Sequence, residues 1–338
     1  MPTKKQKTNQ YNTFGNILKT SFCLLAGATA QVSAAGYDIW LYPLTKQVEA
    51  PHWRLGEPIS VSDRSGYDNQ AAFGPKGKQL VFASDRAGDH NDIYRFDIDT
   101  GEITALTHTQ EISEYSPQLI SQGLTSQGLI SQGLTYVAEQ GVPHQSIWQQ
   151  SLIDNKAPQR AVNSLIPAGY YARLEGIGTL IWARYGYNLY YEPVGESADE
   201  RHFVVSDVGR SLHALPSIKQ FSYLKKRMDG ERVVTLFDPE SGSHTPLIDL
   251  GQGSEDYAWS SDGWLFNLEG AVLRSWPYPP LAGADKNITE TPQQELSGWQ
   301  AVTKLIPPTP HHHSPSRIAI SPTLDFIAIT WQRKDTPQ

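Results

Sequence analysis

The sequence predicts an all-β protein: a six-bladed β-propeller whose ring closes by pairing N-terminal strands with C-terminal strands in one blade. Three observations carry this expectation. The segment Tyr67 to Thr107 reads as four consecutive antiparallel strands, degenerate copies of it recur along the chain, and each end of the chain holds half of such a unit. A lone four-stranded blade cannot bury both faces, so one blade implies sisters.

In chain order, Asp38-Ile39-Trp40-Leu41-Tyr42 and Pro58-Ile59-Ser60-Val61 match the third and fourth strands of a blade. The best-formed unit follows. Phe73-Gly74-Pro75-Lys76-Gly77 turns into Leu80-Val81-Phe82-Ala83-Ser84, Asp85-Arg86-Ala87-Gly88 turns towards Asp92-Ile93-Tyr94-Arg95-Phe96, and Thr100-Gly101 precedes Ile103-Thr104-Ala105. Apolar runs of strand length separated by Gly, Pro and Asp turns are the signature of a meander. First strands are expected near Tyr67, Tyr115, Tyr170, Leu212, Tyr257 and Arg317; five steps separate the first from the last, so the period averages 50 residues. Arg317 to Pro322 and Phe326 to Trp331 supply the other half of the shared blade, and closure protects the sheet edges.

Two insertions interrupt the period. Ser121-Gln122-Gly123-Leu124-Thr125 is repeated from Ser126 and from Ser131, and is expected as a loop between the first two strands of the third blade. Pro277 to Gly298 is expected as a loop before the last strand of the sixth. Both fall on one face of the ring and leave the opposite face, where the loops between blades lie, less encumbered.

Residues 1–34 contain Lys4, Lys5, Lys7 and Lys19 but no acid, then an apolar run from Phe22 to Ala30 and the small-x-small triplet Val32-Ser33-Ala34. They predict a secretory signal peptide, with a propeller over 35–334 and a short tail at 335–338. The apolar run is too short for a membrane span. Cys23 lies in the signal, so the mature chain would carry no cysteine, which suits a bacterial periplasm or secretion. Without those four lysines, 24 basic residues face 35 acidic ones and the formal charge moves from −7 to −11. Nucleic acid and anionic lipid are poor partners for such a chain.

Phe73-x-Pro-x-Gly-Lys-x-Leu-Val-Phe-x-Ser-Asp-Arg-x-Gly, with Asp92-Ile93-Tyr94 and Thr100-Gly101 behind it, resembles the repeat of TolB-like (WD40-like) β-propellers. The resemblance is strong over Tyr67 to Leu106, and Tyr257 to Gly263 and Arg317 to Pro322 echo it. The chain departs from the pattern at Lys76, where the family usually has Asp, and at Leu324, where it usually has Gly. The small α/β domain that precedes the propeller in TolB is not expected here. The resemblance implies the fold and the compartment.

Candidate site residues follow from the expected position of the channel mouth. Tyr115, Tyr171, Arg184, Tyr185, Lys225 and Tyr257 are residue types that anchor interfaces and are placed there as ligand contacts. His311, His312 and His313 are metal-ligand candidates on the loop Pro307 to Ser316, although three consecutive histidines on an extended loop cannot all face one ion. Asp85 to Asp92 is rich in oxygen ligands that could suit calcium, but the same residues are what the repeat uses to turn between its second and third strands, which is the reading preferred. No catalytic nucleophile with a local signature and no facing carboxylates are legible, and no cofactor is expected. The expectation is therefore a non-enzymatic, periplasmic or secreted module that binds a protein or peptide. A metal-assisted polysaccharide lyase or glycosidase-like enzyme and a non-catalytic carbohydrate-binding propeller stand as alternatives.

Overall fold

The computed structural model describes residues 36–124, 130–140, 144–154, 156–195, 201–251, 255–278, 281 and 298–334, within one compact unit, Ala34–Gln338. The segment expected as a signal peptide, the expected tail and most of the insertion 277–298 lie outside them. No helix among the described residues is long and apolar enough to cross a membrane.

The chain begins with β1 (Tyr37–Lys46), β2 (Trp53–Leu55) and β3 (Ile59–Ser60). The second blade is β4 (Asp68–Phe73), β5 (Gln79–Ser84), β6 (Asp92–Asp97) and β7 (Ile103–Ala105), and the third is β8 (Ser113–Leu124), β9 (Ile130–Glu139), β10 (Gln145–Ser151) and β11 (Gln159–Arg160). The fourth is β12 (Ala168–Leu174), β13 (Gly178–Ala183), β14 (Asn188–Pro193) and β15 (His202–Val205). The fifth is β16 (Val208–Leu215), β17 (Gln220–Lys226), β18 (Arg232–Phe237) and β19 (His244–Asp249). The sixth is β20 (Tyr257–Trp259), β21 (Trp264–Glu269), β22 (Val272–Pro277) and β23 (Gln300–Lys304), after which β24 (His312–Ile320) and β25 (Phe326–Arg333) return to the start. Each blade is an antiparallel meander, and the closing sheet runs β2-β1-β25-β24 with β3 also on β1.

Closure is a seven-residue ladder of β1 on β25, from Tyr37 opposite Gln332 to Pro43 opposite Phe326. The first strands β24, β4, β8, β12, β16 and β20 touch in that cyclic order, which makes the ring. A separate apolar cluster fills each gap between neighbouring blades. The cluster between the closing and sixth blades holds Trp53, Trp264 and Trp331, all buried. Two-faced burial explains why second strands such as Leu80-Val81-Phe82-Ala83 read as unbroken apolar runs.

The turns show where a residue type is required. Gly77 donates to the Gly74 carbonyl at 2.9 Å, Gly263 to Ser260 at 3.3 Å and Leu324 to Ser321 at 2.9 Å. All three have positive φ, +71°, +87° and +61°. Leu324 thus occupies the slot that glycine fills elsewhere, at a backbone cost of about 1–2 kcal/mol. Its side chain packs on the closing-blade core, which offsets part of that cost.

Two expectations change. The described part of the Ser-Gln-Gly-Leu repeat lengthens the two strands that the expected loop joins, with Ser121 opposite Gln132 and Leu124 opposite Ile130, because cross-strand pairing satisfies backbone groups that a loop would leave to water; 125–129 lie outside the described residues. The edge of the closing blade is also split. Trp53–Leu55 pairs the far end of β1 while only Ile59–Ser60 continues along its middle.

Candidate functional site

The six first strands line a central cavity of about 380 Å³. At the end where those strands begin, it opens between two further hollows. One, of about 620 Å³, lies among Tyr67, Tyr115, Tyr170, Trp182, Arg184 and Tyr185. The other, of about 590 Å³, lies among Arg210, Arg232, Glu255, Asp256 and His313.

Bulges shape this mouth. The ladder between first and second strands shifts register at Asn69/Ala72, Tyr115/Gln118, Ala168/Tyr170, Val208/Leu212 and twice in β24. A bulge places an extra residue outside the ladder and re-aims its side chain. Gln70 and Ser116, at φ +59° and +51°, occupy such positions in successive blades. Their side chains stitch the inner wall: the Ser116 amide donates to Gln70 Oε1 and the Ser116 hydroxyl to the Gly169 carbonyl at 3.3 Å. Gln118 Nε2 donates to the Tyr171 carbonyl at 3.1 Å.

One side of the mouth is aromatic. Tyr37, Tyr67 and Tyr115 contact one another edge to face, with centroids 5.9 and 6.3 Å apart. Tyr170, Trp182 and Tyr187 form a second such series at 5.3 and 5.4 Å. The Arg184 guanidinium lies 5.9 Å from the Tyr185 ring. Gly169 is required here, since a Cβ would come within 2.6 Å of the Trp182 ring. Burial, the largest influence, raises the Tyr67 hydroxyl well above its ordinary range while nearby Arg317 lowers it.

The opposite side is ionic. Arg210 Nε donates to Asp256 Oδ1 at 3.1 Å, with a second bond to Oδ2, and Lys226 pairs with Glu255 at 2.6 Å. Arg317 of β24 reaches across the channel to β12, placing Nη2 2.8 Å from the Tyr170 hydroxyl and its guanidinium carbon 5.2 Å from that ring's centroid. His213 Nε2 lies 2.7 Å from the Tyr257 carbonyl, and burial pushes the imidazole down to about 4, so it is neutral near pH 7.

Of the six residues that sequence places at the mouth, Tyr115, Arg184 and Tyr185 line it. Tyr171 does not present its ring: it is 3% exposed and its hydroxyl donates to Thr135 Oγ1 at 2.7 Å, inside the gap between the third and fourth blades. Tyr257 is 1% exposed, with its hydroxyl 3.1 Å from Ser222 Oγ between the fifth and sixth blades. Lys225 is engaged by the Ser206 carbonyl at 2.7 Å and by Asp207. Tyr67, Tyr170 and Arg317 serve as strand markers in the sequence, and their chemistry is missed there. Their equivalence to Tyr115 within the repeat is the signal that points to them.

The histidines separate. His311 and His313 are exposed, whereas His312 opens β24 and is 1% exposed. His312 Nδ1 lies 2.8 Å from Thr309 Oγ1 and Nε2 lies 3.0 Å from Asp38 Oδ2. Asp38, Asp63 and His312 bring ligand atoms within 4.8 Å of one another. The guanidinium of Arg333 donates to both Asp38 and Asp63, however, so a fixed cation already bridges the carboxylates and the set does not fit a metal ion. In the oxygen-rich turn, Asp85 binds Arg64 at 2.8 Å and Asp92 Oδ1 accepts from the Thr109 amide at 2.9 Å, both structural tasks.

These features define a TolB-like β-propeller fold. The chain is similar to a protein described as TolB from Agrobacterium tumefaciens, at 10% identity and TM-score 0.57, over 88% of this chain and 98% of that one. It is also similar to TolB from Acinetobacter baumannii, at 14% identity and TM-score 0.49, over 71% of this chain and 61% of that one, so it spans about three fifths of that protein's length. An oligogalacturonate lyase in complex with manganese aligns at 11% identity and TM-score 0.48, over 82% of this chain and 79% of that one. No protein-family model and no curated protein matches the sequence.

Proposed function

We propose that the protein is an exported, non-enzymatic binding module that holds a protein or peptide partner at its channel mouth, in the bacterial periplasm or outside the cell. The observation that carries this reading is the mouth itself. Tyrosines and arginines, the side chains that dominate binding hot spots, are concentrated around one opening of the ring, and Tyr185 and Tyr187 there are 54% and 57% exposed. Large exposed rings side by side are unusual on a surface with no use for them. The basic, apolar and small-residue succession of residues 1–34 supports export.

A metal-assisted lyase would need a site for its ion, and the one cluster of suitable residues among those described is bridged by Arg333. Photocrosslinking in the producing cell tests the reading, with p-benzoylphenylalanine at Tyr185 or, on the opposite face, at Lys78. A discrete adduct from position 185 alone is expected. Adducts from both positions, or from neither, would overturn it.

A further inference from the structure

Two guanidinium groups in the channel lining lack a carboxylate partner among the described residues: Arg173, held by Gln149 Oε1 of the third blade at 2.7 Å, and Arg317. Arg317 projects from β24 of the closing blade and meets Tyr170 on β12, three blades around the ring and therefore directly opposite. A guanidinium carries five N–H donors. Its recorded contacts are one hydrogen bond to the Tyr170 hydroxyl and the face of the same ring, with no carboxylate partner among the described residues. Arg210 beside it is neutralised by Asp256, and Arg184 at the rim pairs with Glu139 at 3.4 Å. The middle of the channel thus carries a net positive charge in a chain whose formal charge is −7.

Resting on the binding function proposed above, we infer that the partner enters the mouth as an extended peptide segment bearing a carboxylate, and that Arg317 is the group that reads that carboxylate. The ion pair would be formed in a narrow cavity away from bulk water, where a two-pronged guanidinium–carboxylate contact is strong and directional. Tyr170 holds the guanidinium in the middle of the channel and keeps it from folding onto a wall. The bulged amides of Gln70 and Ser116 are already taken, by Asn69 Oδ1 and Gln70 Oε1, so recognition rests on the side chains around the opening rather than on main-chain pairing.

The test uses the full chain labelled with 15N in its arginine side chains, with the Arg317 Nε–H signal identified through Arg317→Lys. Acetyl-Ala-Ala-Ala with a free carboxylate, the same peptide as its amide, and digalacturonate are the probes. The free acid is expected to move the Arg317 signal saturably, with the amide at least tenfold weaker. Read by titration calorimetry, which does not depend on the Arg317 signal, Arg317→Gln is expected to lose the preference for acid over amide and Arg317→Lys to keep part of it, whereas Lys78→Gln, on the far face, leaves it unchanged. Equal response to acid and amide, or none to either, would overturn the assignment to Arg317, while the crosslink at Tyr185 judges the binding function independently. Digalacturonate saturating at tenfold lower concentration than the peptide acid would overturn the peptide and make the ligand a sugar acid. Thermal melts of each variant separate loss of recognition from loss of fold.

Discussion

His312 Nε2 and Asp38 Oδ2 lie 3.0 Å apart across 274 residues of chain, and both side chains are buried in the blade that the two ends share. Asp38 also accepts from Arg333 and from the Arg64 amide, so one carboxylate ties the first strand of the chain to the last two. The closing ladder is a hydrogen-bonded zipper, and this cluster is the polar clasp at its end.

Breaking the clasp is expected to loosen closure without touching the mouth. His312→Ala removes one partner of a buried carboxylate, a loss of about 1–3 kcal/mol. Arg333→Ala strips the remaining charge compensation and is expected to cost more, about 3–5 kcal/mol. Urea unfolding of each variant reads the difference. Treatment with a chelator is expected to leave the wild-type midpoint unchanged, whereas a fall would show that an ion supports the cluster after all.

Stability is expected to vary with pH in two opposed ways. Glu114 is 1% exposed, its Oε2 lacks a hydrogen-bond partner, and burial raises it from 4.5 to about 7. The folded chain then holds a proton that the unfolded chain releases near 4.5, so this group lowers stability as pH rises from 4.5 to 7. His213 behaves oppositely: the unfolded chain binds a proton near 6.5 that the folded chain refuses down to about 4, so stability falls as pH drops through that window. Glu114→Gln is expected to gain on the order of 2–3 kcal/mol at pH 8 and little at pH 4. Denaturation midpoints across this range that do not diverge from wild type would show that Glu114 is not protonated in the fold.

Gly169→Ala is expected to disturb the aromatic mouth more than the fold around it. The added methyl collides with Trp182, which contacts both Tyr170 and Tyr187. Relief requires the indole to move, at a cost of about 1–3 kcal/mol for overpacking. Tryptophan fluorescence should shift, and partner binding should weaken with it.

Tyr185→Ala with Tyr187→Ala removes exposed rings and is expected to change stability by less than about 1 kcal/mol. Binding of the crosslinked partner is expected to weaken at least tenfold, as for loss of an interface anchor. A variant that folds and binds like wild type would remove the aromatic mouth from the account.

The ring was legible because its signals are local and repeated: apolar second strands, turns with glycine at positive φ, and half-blades at the two ends. The long β8–β9 hairpin was not, because a five-residue repeat rich in Ser, Gln and Gly reads as a loop until cross-strand partners are known. The site was legible only in part, for a reason of parity. Tyr170 and Tyr171 are neighbours on one strand, so only one can face the channel, and the irregularity between Ala168 and Tyr170 determines which. Tyr257 opens β20, whose ladder to β21 has no register shift, and its side chain goes to the interblade core. His312 looked like a metal ligand in a run of three because sequence could not show Asp38 and Arg333 arriving from the other end of the chain.

Hydrogen exchange on the protein with its crosslink-identified partner tests the central claim most directly. Binding at the mouth is expected to protect the amides around 67–70, 115–118, 169–171 and 184–187, and to leave the opposite-face turns at 74–77, 260–263 and 321–324 unchanged. Protection of those turns, or of the outer strands alone, would contradict a partner held at the channel mouth.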